Sequence, residues 1–418
     1  MGSLLSKPEP DQPTGMRPHV PTLTLSGDPY NLGLQHGQQA RALIEKNIKT
    51  YTAFFAETAG LSWSEAKTRS EAFIPTLEKL YPAILDEIKG IADGAGLQVL
   101  DILALNVRSE IALTNYENQA PEKEKEKEVP AITDGCTSLA QLSADGRKLV
   151  VAQNWDWVAD LSEGMLILDV NPTTTSDGEA KRFRFFTMTE AGLVGKVGLN
   201  SAGLALCLNA LRCGAFDDQR LPTHIMTRYV LEHADGFDSA VAMIERLGGA
   251  SSANMMMGDA GGKYGTVEVT PMGISVLSPQ TAGSQGEFDL KRGKGPSFVA
   301  HTNHVITLPE DFPRGAIYDR PAANSFSRLE RVTELARDDA IKGTSVSVDS
   351  VYARLKDQKG DPVSICRGLP LDAKGMEKMT TLASVVVEFD VVQKKGKGFV
   401  TVGRPCEDGL QRIEWAFD

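Results

Sequence analysis

The sequence is short of the residues from which most metal and disulfide sites are built. Its 418 residues include five cysteines (Cys136, Cys207, Cys213, Cys366 and Cys406) with no CxxC pair, and six histidines with no HExxH. An odd, scattered set of cysteines offers no disulfide framework and fits a reducing compartment. His301 and His304 bracket Thr302-Asn303 without a carboxylate motif beside them, so neither a metal nor a resident cofactor is expected. Basic excess is also missing. Lys and Arg number 44 against 55 Asp and Glu, a formal net charge of −11. With no basic, aromatic-interleaved patch, nucleic acid is excluded as a partner.

No run reaches the about 18 apolar residues that a membrane span requires. The chain shows no internal repeat and no secretory signal, and Trp415-Ala416-Phe417-Asp418 is not a peroxisomal tail, so the expected location is cytoplasmic. Met1-Gly2-Ser3-Leu4-Leu5-Ser6 does match the N-myristoylation pattern at Gly2, although one acyl chain gives only marginal membrane binding.

What is present describes a layered globular protein. A hydrophobic fraction of 41% and a charged fraction of 24% are ordinary for a soluble chain, long enough for two average domains or one large one. Residues 1–20 read as a disordered start, with prolines and charges around Lys7–Pro13 and little to bury. Residues 21–135 read as mainly helical after a short strand at Thr22–Gly27. The periodicity predicts a helix from Tyr30 to Glu57 and another over 100–115. Between them Ser62 and Glu65 form a capping box, and Pro75 and Pro82 interrupt the pattern. Alternating charges from Glu122 to Glu128, between Pro121 and Pro130, mark 117–130 as a solvated loop.

From Cys136 onward the pattern changes. Strands are predicted at 149–154, 165–170, 182–189, 204–209, 264–269, 384–392 and 398–402, with turns such as Asp145-Gly146 and Asn200–Gly203. Helices are predicted at 226–233, 239–247 and 326–337. Strands, then helices, then strands indicate an α+β fold of packed layers rather than βαβ alternation.

The chemistry centres on Asp134-Gly135-Cys136, followed by Thr137-Ser138. A cysteine thiol there can attack the preceding Gly135 carbonyl and cut the chain between 135 and 136. The cut frees the α-amine of Cys136, whose pKa of about 7.7–8 suits it to take and return a proton. Gly135 lacks a Cβ, so the thiol can approach its carbonyl. Taken alone, the tripeptide reads equally as a buried strand cysteine, the common fate of a lone Cys. Asp156, at the end of Asn154-Trp155-Asp156-Trp157, can orient and charge an N-terminal amine, or serve as a turn or cap. Trp155 and Trp157 read as core on their own. Asn303, after the apolar Phe298-Val299-Ala300, can donate its amide to an oxyanion, or form a turn.

Several motifs occur in order: Asp134–Ser138, Gln153–Asp156, Thr189–Gly203, Asn209-Ala210-Leu211, His301–His304 and Ser364–Arg367, with Gly27–Gly37 ahead of them. Together, from about Gly27 to Pro405, the chain resembles the fungal acyl-coenzyme A:6-aminopenicillanic acid (isopenicillin N) acyltransferase family of N-terminal-nucleophile hydrolases. The resemblance implies a four-layer αββα fold and a precursor that cuts itself between Gly135 and Cys136. The products would be an α-subunit, 21–135 with its disordered leader, and a β-subunit, 136–418, held together as a heterodimer. It also implies site roles: Cys136 as nucleophile, Asp156 holding its amine, and Asn303 donating to the oxyanion with a backbone N–H near Asn209 or Ala210. The partners implied are a small-molecule acyl donor, with acyl-coenzyme A as one such substrate, and an amine acceptor. Two departures narrow the substrates. Lys378-Met379 stands where the penicillin enzymes carry Ser-Arg, and Ala152-Gln153 stands where bile-salt and penicillin V hydrolases carry an arginine. Alternatives are an amide hydrolase using water, of N-acyl amino acid or β-alanyl-amine type, or an uncleaved, non-catalytic relative.

Overall fold

The computed structural model describes residues 20–113, 135–173, 181–211, 216–279, 287–307 and 323–417. The N-terminal leader, the charged stretch 117–130, Asp134 and Cys213 lie outside the described residues. Strand β1 (Thr22–Gly27) leads into six helices: α1 (Pro29–Ala59), α2 (Trp63–Ser70), α3 (Ile74–Leu80), α4 (Pro82–Ala95), α5 (Val99–Asn106) and α6 (Arg108–Leu113). Local chemistry sets their ends. Asp28 caps α1 by accepting from the Asn31 amide at 2.9 Å, and Gly60 closes it at φ 63°. Ser62 and Glu65 form the expected capping box, and Pro82 stands in the first turn of α4. The helix expected over 100–115 is two, broken at Val107.

The remaining chain builds the sheets. In order they are β2 (Thr137–Leu142), β3 (Lys148–Val158), β4 (Met165–Pro172), β5 (Phe185–Glu190), β6 (Val197–Asn200) and β7 (Leu204–Ala210). Helices α7 (Thr223–His233) and α8 (Phe237–Leu247) follow, then β8 (Ala253–Asp259), β9 (Tyr264–Thr270), β10 (Gly273–Leu277), β11 (Lys294–Gly295) and β12 (Phe298–His301). The last elements are α9 (Ala323–Lys342), α10 (Val348–Leu355), β13 (Met379–Asp390), β14 (Lys395–Val402) and β15 (Arg412–Ala416). One sheet of eight strands runs β1-β4-β5-β6-β7-β8-β9-β10, and one of seven runs β11-β12-β2-β3-β13-β14-β15. The pairing is antiparallel except that β1 lies parallel to β4.

Four layers result. Helices α1, α7 and α8 cover the eight-stranded sheet, whose β7 and β8 pack face to face on β2 and β3. Helices α9 and α10 cover the outer face of the seven-stranded sheet. This is the expected αββα order. Strands buried on both faces read as continuous apolar runs, such as Leu149–Ala152 and Val385–Val387, which is why they stand out in the sequence. Among the strands the sequence did not signal, β8 is rich in methionine, and β10 and β15 are partly exposed. Against the outer sheet layer, α1 and α4 cross closely through Gly33, Gly37, Gly90 and Gly94.

Candidate active site

Cys136 stands one residue before β2, in the middle of the sandwich. Register places its surroundings: Thr137 lies opposite Asn154 on β3, Ser138 opposite His301 on β12, and Thr381 of β13 opposite Asp156. The Cys136 thiol is buried and lies 3.7 Å from the Asp156 carbonyl oxygen. It lines a cavity of about 50 Å³ walled by Phe54, Trp155, Trp157, Leu208, Lys196 and His224. β3 continues to Val158, so Asp156 lies within the strand, two residues before its end.

Asp156 is fully buried and only half satisfied. Thr381 Oγ1 donates to its Oδ1 at 2.6 Å, whereas Oδ2 has no hydrogen-bond partner among the described residues. Burial pushes its carboxyl up to about 7, against the pull of Arg328 and Arg367. The free oxygen faces Gly135: a Cβ built there would stand 2.6 Å from Asp156 Oδ2 and 2.9 Å from Arg367 Nη1. The need for glycine is therefore contact.

Asn303 follows β12. Its Nδ2 donates to the Ala210 carbonyl at 3.0 Å, and its Oδ1 accepts from Arg328 Nη2 at 3.0 Å, which defines which way the amide points. Asn209 is differently engaged. Its Oδ1 accepts from Ser138 Oγ at 2.7 Å and Asn254 Nδ2 at 3.0 Å, so its side chain ties β7 to β2 and β8. His301 and His304 are also committed: His301 Nε2 contacts Glu268 at 2.9 Å and His304 Nδ1 contacts Ser325 Oγ at 2.8 Å.

Sequence reasoning missed the cations. Arg328, on α9, donates to the Gly135 and Cys136 carbonyls, both at 2.7 Å. The one trace of this is an arginine in line with Ser325, Leu329, Val332 and Ala336 on the buried face of an amphipathic helix. Arg367 enters from the loop before β13, its backbone amide donating to Thr381 Oγ1 at 2.9 Å. On the far side of the cavity, Lys196 Nζ sits 2.8 Å from Glu190 and 3.6 Å from the Trp155 ring centre. Burial lowers Lys196 to about 8, with Glu190 opposing the fall. Burial would raise Glu190, but Arg108 and Lys196 outweigh it and hold the carboxyl well below its usual range.

The profile of the acyl-coenzyme A:6-aminopenicillanic acid acyl-transferase family matches residues 142–395, more than half of the chain. The chain belongs to that family. It is accordingly an enzyme of amide C–N chemistry. A protein described as the acyl-coenzyme A:6-aminopenicillanic-acid-acyltransferase 40 kDa form, from Emericella nidulans, is 29% identical over 388 residues, 92% of each chain. An uncharacterized protein of Archaeoglobus fulgidus is 24% identical over 53% of this chain and 38% of its own. Among solved structures, a mutant of conjugated bile acid hydrolase from Clostridium perfringens gives a TM-score of 0.43 at 13% identity, covering 68% of this chain and 96% of that one. Penicillin V acylase from Agrobacterium tumefaciens gives 0.42 at 15%, covering 68% and 86%.

Proposed function

We propose that the chain is a self-processing acyltransferase that carries an acyl group on the Cys136 thiol to a small amine. The observation that carries this reading is the buried, half-satisfied Asp156, whose free Oδ2 faces the Gly135–Cys136 peptide. Cutting that peptide creates an amine beside a carboxylate that burial alone disfavours, and once the amine takes up a proton the ammonium and the carboxylate stabilise each other. The free amine, oriented by Asp156, takes the thiol proton as the sulfur attacks the acyl donor's carbonyl. Lys196, across the cavity, contributes a positive field that favours the thiolate. Asn303 Nδ2 turns from the Ala210 carbonyl to the developing oxyanion, joined by a backbone N–H near Asn209 or Ala210. Collapse expels the donor's leaving group and leaves a thioester. The Cys136 ammonium returns its proton to that leaving group; an incoming amine then displaces the sulfur and gives its proton to the Cys136 amine as the new amide forms and the thiolate returns.

The test is denaturing electrophoresis with N-terminal sequencing. The wild-type chain of 45.1 kDa should give fragments of about 15 and 30 kDa, the larger beginning at Cys136, while Cys136→Ala stays whole. Wild type and Cys136→Ala both remaining at full length would sink the reading. Mass spectrometry of products from an acyl-coenzyme A offered with amines then examines the acceptor. N-acylated amine is expected, whereas free acid alone, with water as the acceptor, would sink the transferase reading.

A further inference from the structure

Arg328 belongs to an outer helix, yet its guanidinium reaches the start of β2 at the centre of the sandwich and is 2% exposed. Its Nη1 donates to the Gly135 carbonyl oxygen at 2.7 Å, the Cys136 carbonyl oxygen at 2.7 Å and Thr137 Oγ1 at 3.0 Å. Its Nη2 donates to Asn303 Oδ1 at 3.0 Å and Asn324 Oδ1 at 3.2 Å, and its Nε to Asn324 Oδ1 at 3.3 Å. Asn324 and Asn303 thus hold one end of the fork while the other grips the backbone around the scissile bond. A buried guanidinium in contact with a carbonyl oxygen stabilises negative charge that develops on that oxygen more strongly than it would in water.

We propose that Arg328 is the catalytic oxyanion donor of self-cleavage, distinct from Asn303, which serves acyl transfer. This rests on reading Cys136 as a self-cleaving nucleophile. In the step, the Cys136 sulfur bonds to the Gly135 carbonyl carbon and the carbonyl electron pair moves onto oxygen, where the Arg328 N–H already points. Collapse restores the C=O bond and breaks the C–N bond. The thiol proton ends on the Cys136 nitrogen, giving a Gly135 thioester and a free amine. Water then adds to the thioester, releasing the Gly135 carboxylate and the thiol. Asn303 Nδ2 donates to the Ala210 carbonyl at 3.0 Å, whereas an Arg328 N–H already meets the Gly135 oxygen at 2.7 Å.

The experiment follows loss of the full-length precursor with time in wild type, Cys136→Ala, Arg328→Gln, Arg328→Lys and Glu330→Gln, an exposed position on the same helix. Wild type and Glu330→Gln should be cut at equal rates. Arg328→Gln should slow by about 100-fold or more, the usual effect of losing one oxyanion donor. Arg328→Lys should fall between, because a single ammonium cannot reproduce the fork. Neutral hydroxylamine, which cleaves thioesters, should leave Arg328→Gln whole because the thioester does not form. Near-ultraviolet circular dichroism separates misfolding from slow chemistry. If Arg328→Gln is not native by that measure, Arg328→Lys decides, a native fold slowed at least about tenfold supporting the role. Wild type that stays whole overturns the self-cleavage reading and this inference with it. Wild type that is cut, beside native Arg328 variants cut at its rate or released by hydroxylamine, overturns the inference alone.

Discussion

At the scale of residues, the site depends on atoms that are missing as much as on those present. Gly135 touches Asp156 and Arg367 where a methyl group would stand. Gly135→Ala should therefore accumulate full-length chain while leaving the fold intact, and gel analysis against Cys136→Ala checks this. Asp156 makes a pH prediction. Its folded pKa of about 7 lies above the 3.8 of the unfolded chain. The stability it contributes is therefore complete below 3.8 and is lost as pH rises through about 7. In the uncut Cys136→Ala background, thermal unfolding should show stability falling over that window relative to Cys136→Ala with Asp156→Asn. In the cut wild type, the new ammonium should flatten the slope. Equal slopes in the two backgrounds would contradict the role given to Asp156.

At the scale of elements, the close crossing of α1 and α4 admits no side chain at its glycines. A Cβ on Gly37 would overlap the Ile91 carbonyl and stand 2.7 Å from the Ala95 nitrogen; both are backbone and cannot step aside. Gly37→Ala should cost at least about 3 kcal/mol in urea unfolding, at the upper end of overpacking effects. A loss under about 1 kcal/mol would mean that the helices separate freely. These helices were legible from capping residues and apolar spacing, because both are local. The crossing was not, since two glycine pairs far apart in sequence acquire meaning only when stacked. Similarly, β8 and β15 escaped detection because methionine and half-exposed residues carry weak strand periodicity.

At the scale of the whole molecule, one carboxylate joins the two proposed subunits. Glu190 on β5 accepts from Tyr51 of α1 at 2.7 Å and pairs with Arg108 of α6 at 3.0 Å, while Lys196 binds it from its own segment. The cut polypeptides should therefore co-elute in gel filtration and separate only in denaturant. Glu190→Gln leaves buried cations without their counter-charge and should cost about 3–5 kcal/mol in urea unfolding at pH 7. Because the folded Glu190 pKa is depressed, its stabilisation is present above 4.5 and disappears as pH falls below it. Wild type should thus lose its advantage over Glu190→Gln in acid, and a constant difference between pH 7 and pH 3 would refute the coupling.

The sequence by itself determined the layered class of the fold, the helical N-terminal segment and the candidates Cys136, Asp156 and Asn303. Each of these is signalled by local periodicity, by a cap or by a motif of neighbouring residues. The tertiary structure decided the rest. It turned the Asn209 side chain into a strand tie and brought Cys366 and Cys406, forty positions apart, to 2.8 Å between sulfurs. It also brought Arg328, Arg367 and Lys196 around the nucleophile from three separate elements. The reason is physical. Burial and the low dielectric of the sandwich, which decide whether a charge is a surface ornament or part of a reaction, are properties of neighbours that only folding supplies.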